Sequence, residues 1–361
     1  MPQLVKRAIV FIAALAIVAC TKDSTDEPGA DDAYTATPLP LKAPALFGQL
    51  LPVPTIPADN PQTVEGVALG KKLFFDPILS ADNTLACADC HKPANAFTDS
   101  RQFSIGITGS PGFRNSMPLY NFAWNSSQKF NWDGSATSLE KQAFEPLRNP
   151  VEMNNTWPNA VASLQDDGEY PILFEAAFGT QTIDSVKVTK AIAQFLRTLV
   201  SGNSKFDRHL LGLETLTESE QNGFEIFMDE SRGDCFHCHG DRNNPLWTDN
   251  SFHNNGLDSE FADPGLGGVT GDPQQMGLFK SPSLRNLAYT APYMHDGRFQ
   301  TLEEVIDHYS EGLVYSPTID PLMKTVAEGG VQLSVQEKAD LKAFLLTLSD
   351  PEFISNPDFQ Q

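Results

Sequence analysis

The sequence predicts a mostly α-helical chain built as two similar halves joined by long loops. Three observations carry this. Apolar residues recur at helical spacing, while the alternation expected of strands is sparse. The segment C-x-x-C-H occurs twice, as Cys87-Ala88-Asp89-Cys90-His91 and as Cys235-Phe236-His237-Cys238-His239. Each half runs in the same order: helix, C-x-x-C-H, long polar loop, helix.

The repeated pentapeptide is the attachment signature of a c-type haem. Two thiols three residues apart can reach the vinyl groups on one porphyrin edge, and the next residue brings an imidazole under the iron as proximal ligand. A zinc site would need its two half-sites close in sequence, and these are far apart. A thioredoxin-like pair would not need a histidine after the second cysteine, twice over. Each half therefore reads as a c-type cytochrome domain with one covalent haem. Four of the five cysteines belong to these motifs and the fifth is Cys20, so no pair is left for a structural disulfide.

The amino terminus reads as a processing signal over residues 1–20. Lys6 and Arg7 supply charge, and Ala8 to Ala19 is an apolar run too short to span a membrane comfortably. It ends Ile17-Val18-Ala19-Cys20, which resembles a bacterial lipobox; an ordinary secretory cleavage near Ala19 is the alternative. Either route exports the chain, which suits covalent haem attachment. The expectation is a periplasmic protein lipid-anchored to the outer membrane through Cys20, with Lys22 giving no inner-membrane retention signal. Residues 21–45, rich in Asp, Thr, Ala and Pro, read as a flexible tether. The formal charge is −21. It argues against nucleic acid and would steer a basic partner.

An N-terminal domain is expected over 46–212. Val64 to Phe75 carries an apolar face and stops at Asp76-Pro77. The first motif follows, then a Gly-, Ser- and Asn-rich span from Thr98 to Asn131, whose length suggests function. Thr137 to Leu147 looks like one helix halted near Pro150. Val188, Ala191, Ile192, Phe195, Leu196 and Leu199 form a helical stripe. A C-terminal domain is expected over 213–361. Thr217 with Glu220 makes a capping box ahead of Phe224, Ile226 and Phe227. The second motif follows, then a loop from Arg242 to Pro292. Thr301 with Glu304 and Ser334 with Glu337 cap two further helices. The last presents Leu341, Phe344, Leu345 and Leu348 before Pro351.

Longer motifs carry a resemblance. LGKKLFFDPILS before the first haem segment, then RNSMPLYN, NWDG, NPVEM, SPSLRN and APYMHDGRFQTLEE, resemble the bacterial di-haem cytochrome c peroxidases and their relative MauG over Val64 to Leu348. In that family one haem is the peroxide site and the other an electron relay, with a calcium ion and a tryptophan between them. The resemblance implies His91 as proximal ligand of the peroxidatic haem and His239 as that of the relay haem. It implies Trp132 as the inter-haem tryptophan, although a lone Trp is more often a core aromatic. Gln142 and Glu152 match the distal pair that handles peroxide. A carboxylate there can move a proton from the inner to the outer peroxide oxygen. Asn115, with the backbone carbonyls of Thr290 and Pro292, matches the calcium site, and oxygen ligands suit that ion.

Two departures place the chain within the family. Classical peroxidases cap the resting peroxidatic iron with a loop histidine; the aligned residue here is Ile107, and no histidine lies between His91 and His209. The relay haem of those enzymes takes a methionine; the aligned residue here is Tyr309, as in MauG. Met294, His308 and Met276 are rival ligands, and a core role for Tyr309 is the plain alternative. On a helix His308 points about 100° away from Tyr309. A thioether raises a haem potential, whereas an anionic phenolate favours oxidised iron. The resemblance thus implies an enzyme that reacts with hydrogen peroxide, shares oxidising equivalents between its haems and oxidises a partner protein. The alternatives are a peroxidase fed by a small c-type cytochrome or cupredoxin, and a non-enzymatic electron carrier. Trp124, Trp157 and Trp247 read equally as hole-hopping stations or core.

Overall fold

The computed structural model describes residues 34–361. The apolar run Ala8–Ala19, Cys20 and residues 21–33 of the expected tether lie outside the described residues. From Thr37 on, the chain is hydrogen-bonded to the body. Leu39 N–H donates to the Gln62 carbonyl at 3.0 Å, and Thr37 Oγ1 donates to Glu65 at 2.7 Å. No described helix is long and apolar enough to cross a membrane.

The architecture is helical. Among the described residues the strands are two dipeptides, Phe252–His253 and Phe279–Lys280, paired antiparallel. The helices of ten residues or more are α1 (Val64–Phe75), α2 (Trp157–Asp166), α3 (Ser185–Thr198), α4 (Glu218–Met228), α5 (Leu302–Glu311) and α6 (Val335–Leu346). Their starts follow local chemistry. Thr63 caps α1 by accepting from Gly66 N–H at 3.0 Å. The capping boxes read at Thr217/Glu220, Thr301/Glu304 and Ser334/Glu337 are all formed, each satisfying two otherwise orphaned helix donors.

One expected helix is two. Residues 139–142 and 145–148 form separate single turns. Pro146 has no N–H to give to the Gln142 carbonyl, so the turn that would join them lacks a bond. Gln142 consequently ends its helix.

Each half is built on one tight helix crossing. Against α3, a Cβ on Gly70 would stand 1.9 Å from the Ala191 carbonyl oxygen; against α6, a Cβ on Gly223 would stand 1.9 Å from the Asp340 carbonyl oxygen. Three and four residues after each glycine come Leu73 and Phe74, or Ile226 and Phe227, all buried. Four residues after each contacted carbonyl come Phe195 and Phe344, also buried. Two apolar clusters grow from these crossings, one over α1–α3 and one over α4 and α6. The carboxyl-terminal residues return to the first, where Phe353 packs on Phe97 with ring centroids 5.7 Å apart.

Matching asparagines tie the clusters together. Asn121, in RNSMPLYN, exchanges two 2.9 Å hydrogen bonds with the Ser201 backbone. Asn286, in SPSLRN, donates to Ser201 Oγ at 3.0 Å and accepts from Asp350 N–H at 2.8 Å. Both adopt left-handed backbone, φ 59° and 62°, a conformation Asn tolerates better than most residues.

Candidate haem sites

The first C-x-x-C-H segment opens on a cavity of about 730 Å³. Cys87, Cys90 and His91 line it, together with Asn115, Trp132, Gln142, Glu152 and Lys280. The structure thus gathers the first-half residues singled out from sequence around one space, whose size suits a cofactor. The walls between them are apolar, among them Phe74, Leu79, Phe130 and Leu196.

His91 is oriented for metal binding. Its Nδ1 lies 2.9 Å from the Phe97 carbonyl and 3.2 Å from Ser116 Oγ, which itself donates to the Cys90 carbonyl at 3.0 Å. A carbonyl partner fixes the proton on Nδ1 and leaves Nε2 with a free lone pair. Burial holds the ring below the ordinary histidine pKa, in the neutral form a ligand needs. His239 repeats this: Nδ1 lies 3.3 Å from the Pro282 carbonyl and 3.4 Å from Ser281 Oγ, which donates to the Cys238 carbonyl at 2.9 Å. Burial pushes its pKa down to about 4. The four motif thiols are free of disulfides. Burial pushes Cys87 and Cys235 each up to about 12.

Other histidines are committed elsewhere. His253 is held by Asp320 at 2.6 Å and Asp249 at 2.8 Å. Burial alone would lower its pKa, but Asp249, the neighbouring Cys238 and Asp320 carry it up to about 11. His308 is buried, with Nε2 3.1 Å from the Asn255 carbonyl. Of the residues lining the first cavity, His91 is the one imidazole. The Ile107 loop docks instead on the backbone beside Glu152, with Ile107 N–H donating to the Glu152 carbonyl at 3.0 Å.

Glu152 reaches solvent through the open cavity, yet protein surrounds it on most sides. That burial raises its pKa above the ordinary glutamate value, against a 2.5 Å hydrogen bond from Asn149 Nδ2. Trp132 is buried and bonded at both ends. Its indole Nε1 donates to the Asn115 carbonyl at 2.8 Å, and its carbonyl accepts from Lys280 N–H at 2.8 Å. Asn115 precedes Ser116, beside His91; Lys280 precedes Ser281, beside His239. A short covalent and hydrogen-bonded path through Trp132 therefore joins the two histidines.

At the second segment Tyr309, on α5, has its phenol near Cys235 and Cys238. Burial pushes its pKa up to about 12, against the Asn255 hydrogen bond, which lowers it. Asn255 Nδ2 donates to Tyr309 Oη at 3.0 Å and stands 3.6 Å from Met294 Sδ. Asn115 Oδ1 accepts no hydrogen bond among the described residues, while its Nδ2 donates to the Gln102 carbonyl at 3.2 Å. Asn115 N–H donates to the His295 carbonyl at 2.7 Å, close in sequence to Thr290 and Pro292; neither of those hydrogen-bonds to Asn115.

Asn255 and Lys280 were not singled out from sequence. Asn255 sits in a polar loop with no motif to flag it. Lys280 had a signal: FKSPSLRN repeats the Ser-x-x-Leu-x-Asn pattern of RNSMPLYN, which places Lys280 opposite Asn115. It is 5% exposed, and its Nζ donates to the Lys129 carbonyl at 3.0 Å, with no carboxylate in ion-pair range among the described residues. Burial pushes its pKa down to about 8. A buried cation facing a cavity without a counter-ion fits a cofactor that carries carboxylates.

Comparison with known proteins agrees with this geometry. The family described as di-haem cytochrome c peroxidase matches residues 64–215. The methylamine utilization protein MauG of Methylorubrum extorquens is 39% identical over 313 residues, covering 83% of each chain. Cytochrome-c peroxidase IdrP1 of a Pseudomonas species is 35% identical over 361 residues, covering 90% of this chain and 92% of that one. A solved structure of a MauG-like protein associated with microbial copper homeostasis superposes with a TM-score of 0.79 at 37% identity, covering 86% of this chain and 97% of its own. With a free imidazole nitrogen behind each thiol pair and these relatives over most of its length, the chain belongs to the di-haem cytochrome c peroxidase family, as a MauG-like oxidoreductase.

Proposed function

We propose that the chain binds two covalent haems, through Cys87, Cys90 and His91 and through Cys235, Cys238 and His239, reacts with hydrogen peroxide at the first, and oxidises a partner protein. When bound, the haem pair would supply oxidisable iron, which gives two electrons to peroxide as the O–O bond breaks and regains two from the partner, which is thereby oxidised. The chain's own residues set the terms. Glu152 accepts the proton of the inner peroxide oxygen and returns it to the outer one, where water leaves. Its raised pKa favours that exchange. Gln142 hydrogen-bonds the bound peroxide. Trp132 couples the two sites. Tyr309 would give the second iron an anionic oxygen ligand, and Lys280 would pair with a haem carboxylate. A calcium ion held by Asn115 with the Thr290 and Pro292 carbonyls would brace the loops between the sites.

The observation that carries the reading is the first cavity's single imidazole. With Ile107 in the loop, no second imidazole lines that cavity. The test is the fully oxidised holoprotein mixed with peroxide. Reaction without prior reduction, from a resting spectrum of one high-spin and one low-spin ferric haem, is expected. Two low-spin haems, or reactivity only after one-electron reduction, would refute it.

The acidic surface, −21 overall, favours a second reading in which a small basic cytochrome or a cupredoxin delivers electrons to a peroxidase. Steady peroxide turnover with reduced donor supports that reading; a covalent change in a partner protein supports the first. The exported, periplasmic setting, with a lipid anchor at Cys20, belongs to the proposal.

A further inference from the structure

The loop at Asn255 places one carboxamide between two candidate iron ligands. Its Nδ2 is 3.0 Å from Tyr309 Oη and 3.6 Å from Met294 Sδ. The donor therefore addresses an oxygen on α5 and a sulfur on the Tyr293–Phe299 turn. The loop holding it is fixed in turn. His308 Nε2 lies 3.1 Å from the Asn255 carbonyl, His308 is buried, and its ring packs against Phe299 with centroids 5.7 Å apart. On the other side, Asn254 donates to Ser316 Oγ at 2.9 Å and to Thr318 Oγ1 at 3.0 Å, and its Oδ1 accepts from Gly256 N–H at 3.0 Å. Asn255 is thus anchored through its own carbonyl and through both neighbours, with its amide nitrogen free to hold a ligand.

Hydrogen-bond strength differs sharply between the two acceptors. A phenolate is a charged acceptor and forms a short, strong bond with an amide N–H. A thioether is a weak acceptor. The same N–H therefore stabilises an ionised Tyr309 far more than it stabilises Met294. It also restrains the phenol to one position, so less freedom is lost when that oxygen meets a metal. Partners of this kind orient metal ligands and tune them, and their loss typically costs 10- to 100-fold in metal affinity or activity. Met294 has left-handed backbone, φ 75°, unusual for a long side chain and set by the turn that also bonds Gly297 N–H to its carbonyl. Its sulfur is kept at hand but is given no comparable support.

We infer that Asn255 is a positioning residue that selects Tyr309 oxygen over Met294 sulfur as the second haem ligand. His308, dismissed as a ligand by its helix face, contributes by fixing the Asn255 backbone. The inference rests on the reading of Tyr309 as ligand, and the test separates the two. Holoprotein is prepared as wild type, Tyr309→Phe, Asn255→Leu, Asn255→Asp and Asn255→Leu/Met294→Leu. The readouts are resonance Raman bands of iron-bound phenolate and the near-infrared thioether band of the oxidised second haem. Haem content and the first-haem spectrum verify folding. Wild type should show phenolate bands that Tyr309→Phe abolishes; their absence in wild type would defeat the Tyr309 reading and the inference with it. In Asn255→Leu most of the phenolate signal should give way to a thioether band, which the added Met294→Leu removes. Asn255→Asp keeps the shape without an N–H and should lose the phenolate signal too. Unchanged phenolate bands in either folded Asn255 variant overturn the inference while leaving Tyr309 as ligand. Loss of those bands with no thioether band appearing overturns the selection between oxygen and sulfur.

Discussion

The two halves share a frame and differ in what they point into it. Gly70 and Gly223 make the same close crossing, followed by the same pair of buried apolar residues. Ser116 and Ser281 stand alike behind His91 and His239. Elsewhere around the two motifs the likeness ends. The first half offers Glu152 and Gln142 from short turns around Pro146, in an open cavity. The second offers Tyr309 from a long amphipathic helix, held by Asn255. The difference teaches that the repeated frame fixes where a haem could sit, while residues outside the repeat decide what it could do. An open face beside a carboxylate suits peroxide; a phenol oxygen held by an amide suits stabilising oxidised iron.

The comparison breaks first at the thiols. Replacing Cys87 and Cys90 by alanine should remove one haem increment from the intact mass after acid–acetone extraction and leave the other. Replacing Cys235 and Cys238 should do the converse. Wild type retaining fewer than two increments would end the likeness of the halves as cofactor sites.

The next largest effect should fall on one half only. Glu152→Gln should slow peroxide chemistry by about 10²- to 10⁴-fold in stopped-flow mixing, with both haems retained. The sign of its pH dependence follows from its raised pKa. The carboxylate that accepts a proton appears only as pH rises past that value, so the wild-type rate should climb on an acid limb above pH 4.5, the ordinary glutamate value. The variant should lack that limb. Equal rates and profiles would make Glu152 a bystander.

A third change makes the second half resemble a conventional relay. Tyr309→Met should raise the second haem's potential by a sizeable share of the roughly 0.8 V that axial ligands span, as read by redox titration. Partner oxidation should fall while reaction at the first haem persists. An unchanged potential would return Tyr309 to the core.

The smallest effect should be equal in both halves. Gly70→Ala and Gly223→Ala each force a methyl onto a carbonyl oxygen, and overpacking of this kind costs about 1–3 kcal/mol. Matching losses in denaturant midpoint would sharpen the duplication. A loss at one site only would show that the crossings bear unequal load.

Much of this was legible in the chain itself. The C-x-x-C-H pairs, the capping boxes and the stripe on α3 are local patterns with local causes, so residue order alone specifies them. The family resemblance extended this to Glu152, Trp132 and Tyr309, which no local pattern would single out. What the sequence could not show depends on atoms brought together across long separations. The helix read over Thr137–Leu147 is broken because Pro146 removes one bond, a detail the apolar spacing conceals. Asn255 meets Tyr309 across 54 residues, and its amide has meaning only once α5 has turned that phenol toward it. Lys280 is an ordinary lysine in the sequence, and becomes a buried cation only where Phe130, Trp132 and the Lys129 carbonyl close around it. Residue order determined the frame and its thiols, because covalent spacing and helix periodicity act over a few residues. The tertiary structure decided which polar atoms are left without partners inside, because that is settled only when distant segments have excluded water together.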